Sequence, residues 1–459
     1  MQSPSRHSQL ADFNASPRLA YMSGIAVAVG VVAAFLALLL LRLIAFFTNL
    51  FYLHRISISD AVPADANIGP WSIAVPVVGG LIVGLMARYG SDRIRGHGIP
   101  EALEAILINR SLMQPKVAVL KPLSSAIAIG SGGPFGAEGP IIVTGGAFGS
   151  VLAQHLRLTN IERRTLLVAG AAAGMSATFA APIAAVLLAV ELLLFEWRPR
   201  SIVPVALASA AAAFVRHYII GAGPLFPLSA EPSFPGAAGM AACVLVGLLA
   251  GVLSLVLTTA VYATEDGFHR LPIHWMWWPA IGGLAVGVGG LIYAPALGVG
   301  YQNIGALLDG ETGVRIILGL LLVKAAIWAM ALGSGTSGGV LAPLLMVGAA
   351  LGALEAHFLP GEGAGFWPLV SMAAVLGGTL RSPLTAIIFA IELTHNVDMM
   401  YPISLATFIA FGFTVVVMKR SILTEKVSRR GYHISHEYSA DPLELLLVRE
   451  AMTPVPPPT

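Results

Sequence analysis

The sequence predicts an all-α polytopic membrane protein whose two halves form an inverted repeat of tilted and partial helices. Three observations carry that prediction. Hydrophobic residues make up 56% of the 459-residue chain and charged residues only 11%, against about 25% charge in a soluble domain. A glycine-rich cassette is written twice at a spacing of 203: Lys121, Gly130-Ser131-Gly132, Gly136, Pro140, Gly145 and Gly149, then Lys324, Gly333-Ser334-Gly335, Gly339, Pro343, Gly348 and Gly352. The 50 glycines and 30 prolines suit helices that pack closely and end inside the bilayer.

Residues 1–20 are polar and carry Arg6 and Arg18. They read as a cytoplasmic N-terminal segment. The apolar run Gly24–Leu41 is too long for a signal-peptide core and reads as the first membrane helix. The first transmembrane repeat is assigned to residues 21–220 and includes the apolar run Leu166–Leu194. Residues 221–236 form a Pro/Gly-rich linker; the absence of Lys and Arg between Arg216 and Arg270 places it outside. The second repeat, 237–425, contains the runs Ala237–Tyr262 and Ile403–Met418. Residues 426–459 are a tail, and Lys419, Arg420, Lys426, Arg429 and Arg430 place that end in the cytoplasm.

The expectation is an integral protein of an inner or plasma membrane, surrounded by lipid, with both termini cytoplasmic. A first half that starts inside and ends outside crosses an odd number of times, so the second half is inverted. A substrate site then belongs at the repeat interface near the midplane. The repeat continues at a spacing of 201, where Ala181-Pro182 and Ser382-Pro383 open helices that end in Glu191-Leu192 and Glu392-Leu393. A net charge of +2 gives no indication of nucleic acid. Cys243, the single cysteine, excludes an intramolecular disulfide and reads as a packing residue. No enzyme active site, nucleotide loop or metal-ligand spacing is visible, and no cofactor is implied.

The chemistry is expected at five turns that end in proline: Gly98-Ile99-Pro100, Glu138-Gly139-Pro140, Ala181-Pro182, Leu341-Ala342-Pro343 and Ser382-Pro383. Proline is favoured at the first position of a helix, and glycine lets the backbone turn tightly with its N–H groups uncovered. A helix N-terminus carries roughly half a positive charge. Several such ends converging in the membrane bind a small anion without a lysine or arginine, and weakly enough to release it. The candidate anion-binding positions are His97, Gly98, Ile99, Gly139, Val340 and Leu341.

Glu138 has no acidic counterpart, because the second cassette carries Leu341 there. A buried carboxylate is costly unless it is neutral or well paired. Charged, it occupies the anion site; protonated, it leaves and opens the path. Glu138 is therefore the candidate gate, with protons as a second partner, and a plain helix cap is its structural alternative. Glu191 and Glu392 occur in both copies, which favours a shared structural role, with Glu191 a secondary candidate for a proton path alongside Glu138. Lys121 and Lys324 are read as setting the local potential or neutralising helix ends.

These residues resemble the CLC family of chloride channels and chloride/proton antiporters. Gly96–Pro100 looks like the family's GSGIP turn, Gly136–Pro140 like its GxEGP turn with Glu138 at the gating glutamate, and Gly339–Pro343 like its GxFxP turn. Ser421–Lys426 resembles the SIYTxK stretch after the last helix. The resemblance implies a homodimer with a separate ion path in each subunit. It also marks departures: His97 replaces the family's central serine, Leu423 its coordinating tyrosine, Leu341 its phenylalanine, and Leu192 the relay glutamate of the antiporters; by its matching position Leu423 joins the candidate anion-binding residues. Because Leu192 cannot carry a proton, the leading expectation is a passive channel or uniporter for chloride. A proton-coupled antiporter for chloride or fluoride is the alternative, and a non-conducting anion sensor a third. Leu445–Pro454 looks like the linker entering a CBS domain, a cytoplasmic module expected to be missing from this chain.

Overall fold

The computed structural model describes residues 17–432 apart from 67, 229–233 and 311. Arg6, part of the 221–236 linker and the tail containing Leu445–Pro454 lie outside the described residues. Helices α1 (Arg18–Tyr52), α2 (Ala74–Tyr89), α3 (Ile99–Leu107), α4 (Pro115–Gly130), α5 (Glu138–His155), α6 (Asn160–Phe179), α7 (Pro182–Leu194) and α8 (Pro199–Ile219) form the first half. The second half repeats the order as α9 (Ala237–His269), α10 (Trp278–Ile292), α11 (Tyr301–Leu308), α12 (Val314–Gly333), α13 (Leu341–Glu355), α14 (Phe366–Leu380), α15 (Pro383–Thr394) and α16 (Met400–Val417). A last helix, α17 (Ile422–Arg429), follows. Among the described residues there is no β-strand.

Among the described residues, seven helical stretches are long and apolar enough to cross a bilayer, and the protein is an integral membrane protein. The 35 residues of α1 extend about 52 Å at 1.5 Å per residue. That exceeds a hydrocarbon core of about 30 Å, so α1 tilts or projects. The nine residues of α3 reach only about 14 Å, so α3 cannot cross and ends inside the protein. Its backbone termini must then be satisfied by other protein groups or by a ligand.

The two-fold relation is visible in reciprocal contacts. A Cβ on Gly80 would overlap the Pro279 carbonyl, and a Cβ on Gly283 the Pro76 carbonyl, so α2 and α10 touch backbone to backbone. These four positions pair at the cassette spacing of 203. The apolar run Leu166–Leu194 is divided between two helices at the Ala181-Pro182 turn, as the sequence predicts. Ala180 takes a left-handed turn at φ 57° and α7 restarts at Pro182, just as Arg381, at φ 58°, precedes the start of α15. A proline cannot continue the preceding helix and disfavours helical backbone in the residue before it. The two faces of the protein are named below from what lies there: α17 on one, and the linker between the halves on the other.

Candidate functional site

All five proline turns open helices, and three of them meet. The α3, α5 and α13 starts touch through glycine. A Cβ on Gly98 would overlap the Gly139 backbone, and one on Gly139 would overlap the His97 carbonyl and come within 3.1 Å of the Gly339 Cα. Gly136 and Gly339 pair as an isolated antiparallel bridge, although they are 203 residues apart in sequence. The bridge therefore lies on the local two-fold between the halves.

Glu138 is the first residue of α5, fully buried. Its carboxylate does not cap its own helix. Oε1 accepts the Ala342 N–H of α13 at 2.8 Å, with the Leu341 amide alongside. A carboxylate from the first half thus sits on the positive end of a helix from the second, where such a charge is stabilised. Oε2 is buried and has no hydrogen-bond partner among the described residues.

Two buried lysines brace this centre by the same device. Lys121 Nζ donates to the carbonyls of Ile94 (2.9 Å) and Gly96 (2.8 Å). Lys324 Nζ donates to those of Ala296 (2.9 Å) and Gly298 (2.5 Å). Each ammonium thereby fixes the Gly-x-Gly turn leading into a short helix, α3 or α11. In both turns the glycines have positive φ: Gly96 92° and Gly98 97°, Gly298 65° and Gly300 80°. The lysines hold backbone carbonyls at these turns rather than forming the anion site.

His97 lies between the first pair of glycines and lines a cavity of about 380 Å³ on the α17 face. Arg95, Lys426, Arg429 and Arg430 line it together with Asp92 and Glu265, and Lys426, Arg429 and Arg430 are paired with Glu101, Asp266 and Glu104. His97 is 2% exposed, and its Nδ1 has no hydrogen-bond partner among the described residues. The Gly98 N–H is already engaged by Glu101 Oε2 at 2.6 Å, and Glu101 Oε1 lies 3.1 Å from Lys426 Nζ. Ile99, Gly139, Val340 and Leu341 are all buried at the junction. Leu423 is fully buried in the first turn of α17, which packs on α3.

A second cavity, about 300 Å³, opens on the linker face and is lined by Arg42, Asp60, Arg216 and the Gly298–Gln302 turn among others. The two-fold relates it to the first: Ile129 lines this cavity and Leu332, 203 residues on, lines the other. The turns differ in character, with Arg95 and His97 on one side and Leu297 and Val299 on the other.

Glu191 lies apart from this junction, in the π-helical end of α7. Its Oε1 accepts the Leu384 N–H at 3.2 Å, and its Oε2 accepts the Thr385 N–H at 2.8 Å and hydroxyl at 2.6 Å. Glu392 does the same in reverse, accepting the Ile183 and Ala184 N–H groups at 2.9 and 2.8 Å. Each carboxylate caps the other half's helix. Glu101, Arg95 and Tyr301 are residues of the junction and its cavities that sequence reasoning missed. The Gly-x-Gly pairs at 96–98 and 298–300, spaced by 202, were the signal available for Tyr301.

Two inverted halves with helix starts meeting inside the membrane define a transporter or channel class of membrane protein. A family model described as Voltage gated chloride channel matches residues 79–415, and the chain belongs to that family. It is 29% identical over 357 residues to the putative chloride channel protein ClcB-like of Ralstonia nicotianae, covering 75% of this chain and 82% of the relative. It is 28% identical over 361 residues to the H(+)/Cl(-) exchange transporter ClcA of Yersinia pestis bv. Antiqua, covering 74% and 75%. Among solved structures, a slow cyanobacterial Cl-/H+ antiporter superposes with a TM-score of 0.79 at 20% identity, over 91% of this chain and 99% of that one.

Proposed function

We propose that the protein exchanges protons for a halide, chloride by default, with Glu138 as the gate. One observation carries this reading: the Glu138 carboxylate itself occupies the α13 helix start, with Oε1 on the Ala342 N–H at 2.8 Å. An anion and this carboxylate compete for the same donors, so an anion enters as Glu138 takes up a proton and leaves. That competition couples the two species at one site. The similarity to an H(+)/Cl(-) exchange transporter supports exchange over the passive path that the sequence favoured. Leu192, buried and apolar, is the observation on the side of a uniporter. On the exchange reading another acid serves the α17 face, and Glu101, bonded to the turn beside His97, is the nearest candidate.

The α17 face is placed in the cytoplasm, since Arg420, Lys426, Arg429 and Arg430 lie there. Two copies, each with its own path, form the assembly on this reading. The deciding experiment is reconstitution into liposomes with a pH gradient at equal chloride on both sides. Exchange predicts that protons running down their gradient drive chloride against its own; dissipation of chloride gradients with no accompanying proton movement overturns it and leaves a uniporter. Glu138→Gln is expected to remove the pH dependence of flux with the path open. An ion panel of chloride, fluoride, nitrate and bicarbonate fixes the substrate.

A further inference from the structure

We propose that Arg95 captures the anion in the α17-face cavity: its guanidinium, stacked on Trp275 and Trp278 against Gly335, is the donor that an entering anion meets before the helix starts. The inference rests on the reading that an anion passes through the junction and does not depend on proton coupling.

The guanidinium has a fixed place. Its Cζ lies 4.5 Å from the Trp275 ring centroid and 5.8 Å from that of Trp278, within reach of a cation–π contact. A Cβ on Gly335, at φ 78°, would come within 2.7 Å of Nη2. The last glycine of the second Gly-Ser-Gly therefore leaves the room this group takes. Stacking holds a guanidinium by its flat face, and its N–H groups, which lie in the plane, stay free to donate.

The protein does not use those N–H groups. Lys426, Arg429 and Arg430 are each paired with an acid. The Arg95 side chain makes no ion pair or hydrogen bond among the described residues, and its Nε is buried. Trp278 Nε1 and His97 Nδ1 are also buried without a partner there, and all three residues line the same cavity. Buried polar groups are rarely left so. A small anion offers acceptor lone pairs in every direction, and a charged donor binds it more strongly than a neutral one.

The two-fold shows that the fold does not require this charge. The counterpart of Gly335 is Gly132, and that of Arg95 is Leu297, at spacings of 203 and 202. A Cβ on Gly132, at φ 99°, would overlap the Tyr52 hydroxyl and lie 3.5 Å from Leu297 Cδ2. The same notch thus takes a leucine on the linker face and an arginine on the α17 face. Packing is satisfied by either, so the cation serves the cavity. At the junction itself a full charge would hold an anion too tightly to release. Arg95 stands before it, beside His97, where it raises the local concentration of anions.

The test is the chloride dependence of flux in proteoliposomes for the native protein, Arg95→Leu, Arg95→Gln and Arg95→Lys. Arg95→Leu copies the residue that the linker face already carries, and Arg95→Gln repeats the loss of charge without burying a new apolar group. Both are expected to raise the KM for chloride about tenfold, with maximal flux near native. Arg95→Lys keeps the charge and is expected to stay within about threefold of the native KM. A native KM in both neutral variants overturns the proposal and leaves the transport reading intact. An equal rise in Arg95→Lys also overturns it, because shape and not charge then matters at this position. So does a fall in maximal flux at native KM, which would place Arg95 after anion capture. A native protein that moves no chloride removes the transport reading itself, and the proposal with it.

Discussion

Gly339 donates its N–H to the Gly136 carbonyl at 3.0 Å and receives the Gly136 N–H in return at 3.4 Å. The two residues are each other's counterparts in the repeat, so the exchange marks the axis on which the halves join. Everything asymmetric in the site is measured from this pair. Two residues beyond Gly136 comes Glu138; two beyond Gly339 comes Leu341. The first half supplies the acid, and the second supplies the helix end that receives it.

Neither glycine of the pair is needed for a left-handed backbone, since neither has positive φ. Space is what requires them. A Cβ on Gly339 would lie 2.8 Å from Glu138 Cδ and Oε1. Gly339→Ala is expected to push the carboxylate off the Ala342 N–H, flatten the pH dependence of flux and lower stability by about 1–3 kcal/mol through overpacking. Flux across a pH series together with thermal unfolding in detergent checks both parts. A native pH profile in a folded Gly339→Ala protein contradicts the placement of the gate.

The paired lysines allow a sharper separation. Each makes two bonds from an ammonium to buried carbonyls, and hydrogen bonds to charged groups contribute about 1.5–3 kcal/mol each. Lys121→Met and Lys324→Met are both expected to lower the unfolding temperature, by similar amounts. Lys324 is the brace whose charge is expected to reach Glu138, whereas the acid on the turn that Lys121 holds is Glu101, bonded to the Gly98 N–H. Removing the Lys324 charge makes the Glu138 carboxylate less favourable and its proton easier to gain, so the flux profile moves to higher pH. The Lys121→Met profile stays near the native midpoint. Equal shifts in both variants would mean that stability alone moves the profile.

The scaffold was legible because the residues that make it are small and covalently constrained. Glycine at 136 and 339, proline at 140 and 343, and the Lys121 and Lys324 braces survive in both copies, since backbone contact and buried carbonyls tolerate few replacements. The turns carrying His97 and Tyr301 were harder. There only the glycines at 96, 98, 298 and 300 persist, while the side chains between and after them have diverged. The structure shows Val299 in its place on the other side. Glu138's target was also hidden: a sequence shows that an acid is poised at a helix start, but not that the start it caps is on the other half. The break inside the apolar run Leu166–Leu194 was legible, because Ala181-Pro182 marks a helix start there and a helix does begin at Pro182.

Glu191 and Glu392 test whether a half-buried acid away from the junction carries protons or holds helices. Each accepts two backbone N–H groups from the opposite half, and loss of an N-cap costs about 0.5–2 kcal/mol. Glu191→Gln and Glu392→Gln are expected to reduce thermal stability alike and to leave the ratio of protons to chloride unchanged. That ratio is read from parallel proton and chloride flux recordings. A fall in the ratio confined to Glu191→Gln would assign it to the proton path after all.

His97 is the departure with the most direct bearing on the substrate. Its residue occupies the turn between two left-handed glycines, lines the α17-face cavity and keeps Nδ1 without a partner among the described residues. A serine there would be much smaller and would present a hydroxyl in place of a ring nitrogen. His97→Ser therefore enlarges the space at the α3 start while keeping one polar group. A larger site loses discrimination against larger anions, so the ratio of nitrate to chloride flux is expected to rise, with the fold intact. The three helix starts remain in place, so total flux is expected to persist. An unchanged ratio and an unchanged pH profile together would make His97 a packing residue, and the selectivity would then reside in the backbone of the three helix starts alone.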